Sequence, residues 1–316
     1  MPLLRVNAMA FGAGVPHCAE SSGLQLHGST RGPAGCLAGT SRTEEPTVIM
    51  VHGFKYAPYD PLHCPHRKIF AASGWPADLG RHDGLTVAFG WHARSALRTA
   101  YSDALAQGAA LARLISMLRV YNPQKPVHII AHSLGASVAM AALPHLRAGD
   151  VGRIVLLTGA CHGDLAQTAL ATDAGCATQV LNVISRENDI FDFAFERLVP
   201  GSGAIGRGLG RDNVVDLQID CDLTLPVLAQ LGHFIGPAQR RVCHWSAYTR
   251  PGLMQLYATF LHQPGVLPVD MLHSVLPQQT TPRWSRLHPA PALAARLKTR
   301  IMARNKRKGP THEHAY

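Results

Sequence analysis

Val127-His128-Ile129-Ile130-Ala131-His132-Ser133-Leu134-Gly135-Ala136-Ser137-Val138-Ala139-Met140 decides how this chain folds. A β-branched run gives way to small residues with Ser133 at their centre, and an apolar helical run follows. In a strand-turn-helix of this kind the sharp turn lifts a serine hydroxyl above the sheet edge, and the following helix aims its first amides at the same point. Gly135 stands two residues after the serine, as G-x-S-x-G requires, whereas Ala131 takes the place of the first glycine. Alanine is a mild departure, because one methyl adds little where two backbones approach. Ser133 is therefore a candidate nucleophile, against the plainer reading of a buried strand-loop-helix with an incidental serine.

Upstream, Thr47-Val48-Ile49-Met50-Val51 is a buried-strand signal that ends in His52-Gly53-Phe54. A glycine at that point lets the chain turn and leaves the next amide facing a site at the strand's end, where an oxyanion donor is needed. Phe54 N–H and Leu134 N–H are the expected pair. Leu85–Phe89 reads as a further strand and residues 95–120 as a long helix, with Asn122 to Pro126 as the break before the serine strand. Downstream, Arg153–Thr158, Gln179–Ser185 and Asn213–Ile219 read as strands, with helical runs at Leu223–Phe234 and Gly252–Leu261. The strand at 179–185 opens into Arg186-Glu187-Asn188-Asp189-Ile190-Phe191-Asp192. Acids beyond the carboxyl end of a parallel strand stand where active-site groups collect in open α/β sheets.

The 316 residues suffice for one large α/β domain, and 47% hydrophobic with 16% charged residues excludes a mainly disordered chain. Seven scattered cysteines, with no C-x-x-C pair, argue against a disulfide framework. Together with an N-terminus that reads as a first strand and the lack of a bilayer-length apolar run, they point to the cytoplasm. Of the net charge of +10, residues 281–316 supply +8, nine basic residues against Glu313. The basic balance thus belongs to an appendage, and no specific nucleic-acid binding is expected. Within it Leu293, Leu297 and Ile301 recur at helical spacing, which suits an anionic surface or acidic partner if helical and a solvated tail if not. Cutting after Pro282 is expected to spare activity.

Two further motifs invite a site and are read without one. His63-Cys64-Pro65-His66 lacks the second ligand pair zinc usually takes, so a solvated loop is expected, with no metal. Gly201-Ser202-Gly203-Ala204-Ile205-Gly206 spells G-x-G-x-x-G but precedes a strand where a nucleotide fingerprint follows one, so it reads as a mobile loop.

A serine hydroxyl needs a base in hydrogen-bond reach, and that base needs a partner fixing its tautomer. Ser133, Asp189 and His244 supply the three types in the order Ser, acid, His. With His52-Gly53, Ala131-His132-Ser133-Leu134-Gly135 and Glu187-Asn188-Asp189, this order makes residues 45–260 resemble an α/β-hydrolase-fold serine hydrolase of the esterase/lipase kind; Trp91, Tyr101 and Asp103 are similar to a poorly characterised bacterial branch of it. The resemblance implies a mostly parallel central sheet with helices on both faces in a domain spanning 1–280, a small lid or insertion near 190–240, and a tail from 281. It implies a Ser133-His244-Asp189 triad acting on an ester or thioester without a cofactor. Asp189 is preferred to Glu187 and Asp192 because family members end a similar run in aspartate. His244, in a loop flanked by Trp245 and Ser246, is preferred to His233 in an apolar run, and His132 is expected to point away. Acyl transfer from the same serine, or a non-catalytic binding module on this fold, are the alternatives.

Overall fold

The structure is a computed structural model that describes residues 2–9, 23–38, 45–80, 84–277 and 281–285. Eight strands form one sheet: β1 (Leu3–Ala8), β2 (Leu24–Leu26), β3 (Thr47–Val51), β4 (Thr86–Gly90), β5 (Val127–His132), β6 (Val151–Leu157), β7 (Gln179–Ile184) and β8 (Val214–Gln218). Their order is β2-β1-β4-β3-β5-β6-β7-β8, and every pairing is parallel except β1 with β2 at one edge. β3 and β5, the strands that lead into His52-Gly53 and Ser133, lie side by side at the centre, with Val51 level with Ala131.

The strands are near-continuous apolar runs because both faces are covered, and alternation sorts their side chains between two cores. Ile49, Val51, Ile129 and Ala131 join one core, with the long helix Leu97–Tyr121 and the nucleophile helix Gly135–Ala142. Val48, Met50 and Ile130 join the other, with helices Leu253–His262 and Val269–Val275. The first two helices cross closely: a Cβ on Gly108 would lie 2.6 Å from the Ala141 carbonyl carbon, so only glycine permits the approach.

Within the stretch 190–240 the strand expected at Asn213–Ile219 is present as β8. Two expectations are corrected. Cys64 and His66 are buried at 1% and 3% exposure, not solvated; the His66 ring bonds Asn7 Oδ1 at 2.7 Å, and burial pushes it down to about 2. The 200–210 loop is packed: Cβ atoms on Gly201 and Gly203 would strike His162 and the Arg207 side chain at 2.6 and 2.7 Å, and Ile205 is fully buried. Its glycine spacing answers to steric crowding. Beyond helix Leu253–His262, helix Val269–Val275 packs on β8, and residues 281–285 form a strap. In the strap Thr281 N donates to Gln218 Oε1 at 2.6 Å and Arg186 Nη1 to Ser285 Oγ at 2.8 Å, which ties residues 281–285 to β8 and to the turn after β7. The amphipathic run at 293–301 lies outside the described residues.

Candidate active site

Ser133 sits between β5 and the nucleophile helix with φ 54°, a left-handed conformation uncommon for a side-chain-bearing residue. Three backbone bonds hold it there: its N–H donates to Leu157 O at 3.1 Å, and its carbonyl accepts from Ala136 and Ala160 at 3.0 and 2.9 Å. Strain of this kind persists only where the surroundings over-determine it, and such positions cluster at functional sites. The small residues around the turn have identifiable duties. A Cβ on Gly53 would come within 2.6 Å of Ser133 Cβ, and one on Gly135 within 2.8 Å of the Val51 and His52 carbonyls. Ala131 is fully buried.

The turn after β3 is clamped by an aromatic pair. His52 Nε2 accepts from Trp91 N–H at 3.0 Å, its Nδ1–H donates to Gly53 O at 2.9 Å, and Trp91 Nε1–H returns a bond to His52 O at 3.1 Å. The rings stack 5.5 Å apart, and burial lowers His52 to about 4, so the imidazole is neutral and can both give and accept. Phe54 and Leu134 follow Gly53 and Ser133 and line one cavity with Ser133; among the described residues neither amide donates to a protein acceptor. Lys55, next along, holds φ 71°.

That cavity, about 570 Å³, is lined by Ser133, His244 and mainly apolar side chains, among them Leu62, Leu97, Phe191, Phe195 and Trp245, with Lys55 and Lys68 also on its wall. His244 comes from a loop anchored by Cys243 N–H to Glu187 O at 2.9 Å. Its carbonyl accepts from Thr158 Oγ1 at 3.3 Å and lies 3.2 Å from His132 Nε2; its ring lies 4.7 Å from that of Phe191 and 4.6 Å from that of His132. His132 therefore points toward His244 and braces it, a structural role. Thr158, a β-branched residue held at φ 41°, is a second brace. Burial and the neighbouring His132 hold His244 well below the usual imidazole range, so the imidazole is neutral at pH 7.

The imidazole's partner is Asn188, not Asp189. His244 Nδ1–H donates to Asn188 Oδ1 at 2.7 Å, which leaves Nε2 as the free basic nitrogen. The reason lies in helix geometry. Residues 186–188 form one 3-10 turn after β7, and helix Asp189–Leu198 starts at the next residue. At 3.6 residues per turn, Asp189 is rotated about 100° from Asn188. Its carboxylate accepts from Trp284 N–H at 2.6 Å and faces Arg283 Nε at 3.9 Å. Glu187 is occupied too, in a buried ion pair with Arg250. Asp192, one turn after Asn188, shares its face, and Asn188 Nδ2–H donates to Asp192 Oδ1 at 2.9 Å. An Asn-Asp pair at i,i+4 was visible in the sequence, but only once the segment is known to be helical. The hydrogen bonds around His244 do not include the Ser133 hydroxyl, although both line the same cavity. His233 lies outside it.

Among the described residues no group of three or more His, Cys, Asp or Glu is placed to hold a metal ion, and no helix is long and apolar enough to cross a membrane.

No curated protein matches the sequence. Among solved structures, the mature lipase BlEst2 of Bacillus licheniformis is similar at 16% identity and TM-score 0.38, over 61% of this chain and 94% of that one. A lipase-esterase related protein of Clostridium acetobutylicum is similar at 12% and 0.33, over 75% and 97%. Carboxylesterase CesB of Bacillus subtilis is similar at 10% and 0.31, over 70% and 85%. Likenesses this distant carry no conclusion about activity. The eight-stranded, mostly parallel sheet covered by helices has the α/β-hydrolase fold, and residues 39–161, which hold both the Gly53 and Ser133 turns, match the family described as alpha/beta hydrolase of unknown function (DUF900).

Proposed function

We propose that this protein is a serine hydrolase that cleaves a carboxylic ester or thioester through an acyl-Ser133 intermediate, with His244 as base and Asn188 as the group that orients it. The observation that carries the reading is Ser133 itself, held at φ 54° beneath a glycine that no larger residue could replace, on the wall it shares with a neutral imidazole. A side chain incidental to the fold gives no reason for that strain.

His244 Nε2 takes the Ser133 proton as Oγ attacks the carbonyl carbon, and the Phe54 and Leu134 amides receive the oxyanion. The imidazolium then gives its proton to the departing alcohol or thiol. Water, deprotonated by the same nitrogen, releases the acid and restores the serine. The Asn188 carbonyl holds Nδ1–H throughout, a role asparagine also fills in Cys-His-Asn sites. A cavity of about 570 Å³ with Leu62, Leu97, Phe191 and Phe195 on its wall suits a small-molecule acyl group that is largely apolar.

A fluorophosphonate probe tests the chemistry: covalent labelling confined to Ser133, absent in Ser133→Ala, is expected. Turnover of a p-nitrophenyl ester series of graded acyl length then reads the pocket. Folded protein that neither labels nor turns over any ester in the series would end the proposal.

A further inference from the structure

His244 is oriented by a neutral amide, yet that amide is not the end of the chain of contacts. Asn188 has both ends of its side chain engaged, Oδ1 by the imidazole and Nδ2 by Asp192 Oδ1. Asp192 is 5% exposed and faces Arg283 Nη2 at 3.7 Å. Arg283 belongs to the strap, and its Nη1 binds both oxygens of Glu196 at 3.1 Å while its Nε faces Asp189 at 3.9 Å. One arginine, from a stretch that reads as dispensable tail, thus holds three carboxylates of helix Asp189–Leu198. Gly206 closes the back of this arrangement, since a Cβ there would collide with the Asp192 carboxylate.

We infer that Asp192 is the charged member of the machinery, acting on His244 through the Asn188 side chain, and that Arg283 holds it in place. This rests on the serine-hydrolase reading above. Physically, a carboxylate behind the amide polarises it: negative charge at Asp192 draws on Nδ2–H and makes Oδ1 a stronger acceptor for Nδ1–H. The gain is greatest when His244 becomes an imidazolium, the moment the transition state needs it. Arg283 lies outside the cavity, and Asp192, although on the cavity wall, reaches the imidazole only through Asn188, so both are positioning residues.

The charged groups facing Asp192 are Arg283 from the strap, Asp189 and Glu196 from its own helix, and Arg207 from the glycine loop, itself paired with Glu196 at 2.9 Å. Burial outweighs their net pull and raises Asp192 to about 7, so the carboxylate is charged at alkaline pH and loses its charge as pH falls through neutrality. His132 is the titratable ring against His244, and burial holds it at about 4, so it stays neutral over that range.

The test is the pH dependence of fluorophosphonate labelling in the full chain. Asp192→Asn keeps an acceptor for Asn188 and removes the charge. It is expected to slow labelling at pH 8 about tenfold, the equivalent of one pK unit of lost interaction, and to flatten the step the wild type shows near pH 7. Asn188→Asp placed in that background sets a carboxylate directly on the imidazole and is expected to recover most of the rate. Arg283→Gln is expected to move the step upward in pH, because it removes the cation that favours the charged form. A merely structural Asp192 would lower the labelled fraction without changing the step or being rescued. An Asp192→Asn protein with the wild-type rate and wild-type step overturns the inference, while a wild type that never labels fails the hydrolase reading instead. In that second case NMR titration of His244 still decides: a lowered imidazole midpoint in Asp192→Asn supports the coupling, and an unchanged one ends it.

Discussion

The two sides of the cavity are built by different means. The side proposed for the nucleophile is local: β5, the Ser133 turn and the next helix are one continuous segment, and Phe54, proposed as an oxyanion donor, follows the neighbouring strand β3. The base side is assembled from four separate pieces, the turn after β7 with the helix that continues it, the His244 loop, Thr158 after β6 and the 281–285 strap. Backbone geometry fixes the first side, where a methyl in the wrong place is fatal. Side-chain hydrogen bonds and buried charges fix the second, where errors are graded. Substitutions on the two sides should differ accordingly.

The largest expected effect is on the local side. Ser133→Ala should leave a folded protein with no labelling and turnover reduced by about 10⁴-fold or more, measured with the best ester of the series. Gly53→Ala tests the geometry without touching the chemistry. Its methyl would lie 2.6 Å from Ser133 Cβ, so either the nucleophile or the Phe54 amide must shift. A loss of roughly 10²- to 10³-fold in kcat is expected, comparable to removing one oxyanion donor. A Gly53→Ala enzyme with unchanged kcat would break the claim that this side tolerates no displacement.

The next effect separates the two carboxyl-side candidates. Asn188→Ala removes the only side-chain acceptor bound to His244 Nδ1 among the described residues and should lower kcat by about 10²-fold, within the range general-base assistance supplies. Asp189→Asn keeps an oxygen for Trp284 N–H and should change kcat by less than about threefold, with any loss appearing in thermal stability, since the residue is buried against Trp284 and Arg283 and not bonded to His244. The opposite ranking would return Asp189 to the triad.

These two sides also differ in how far the sequence revealed them. Strands at 47–51 and 127–132, the long helix near 97–121 and the Gly53 and Ser133 turns were legible because their signals are local, consisting of apolar runs, small residues at fixed offsets and a Pro-bounded break. Asp189 was favoured over its neighbours by position in a run, which says nothing about the direction in which a helix presents them. Only the onset of the helix at residue 189 turns Asn188 and Asp192 together toward His244 and sends Asp189 to the strap. His132, Thr158 and Trp91 act through contacts between segments remote in the chain, and Arg283 lay hidden in a stretch whose composition resembles a solvated tail. Glycines 201, 203 and 206 mimicked a nucleotide motif because crowding against His162, Arg207 and Asp192 demands the same residue as a phosphate loop does.

The smallest expected effect concerns stability, and it has the opposite sign to the loss of activity. Asp192 holds its proton more tightly in the folded chain, at about 7, than the usual 3.8 of an aspartate in water. Below pH 4 the carboxyl is protonated in both states and contributes no pH dependence. Between about 4 and 7 the unfolded chain releases a proton that the folded chain keeps, so folding stability declines as pH rises. Above 7 both states are charged and the full penalty of the buried carboxylate is present. Asp192→Asn removes that penalty, so its Tm should equal the wild type's near pH 4 and exceed it at pH 8, a rise of about three pK units bounding the effect at about 4 kcal/mol. Calorimetry at the two pH values measures the difference directly. A variant that is slower yet more stable at pH 8 would mark Asp192 as a charge retained for chemistry at the expense of the fold. A variant less stable at pH 8 than the wild type would place the Arg283 contact, and not catalysis, as the reason an acid is buried there.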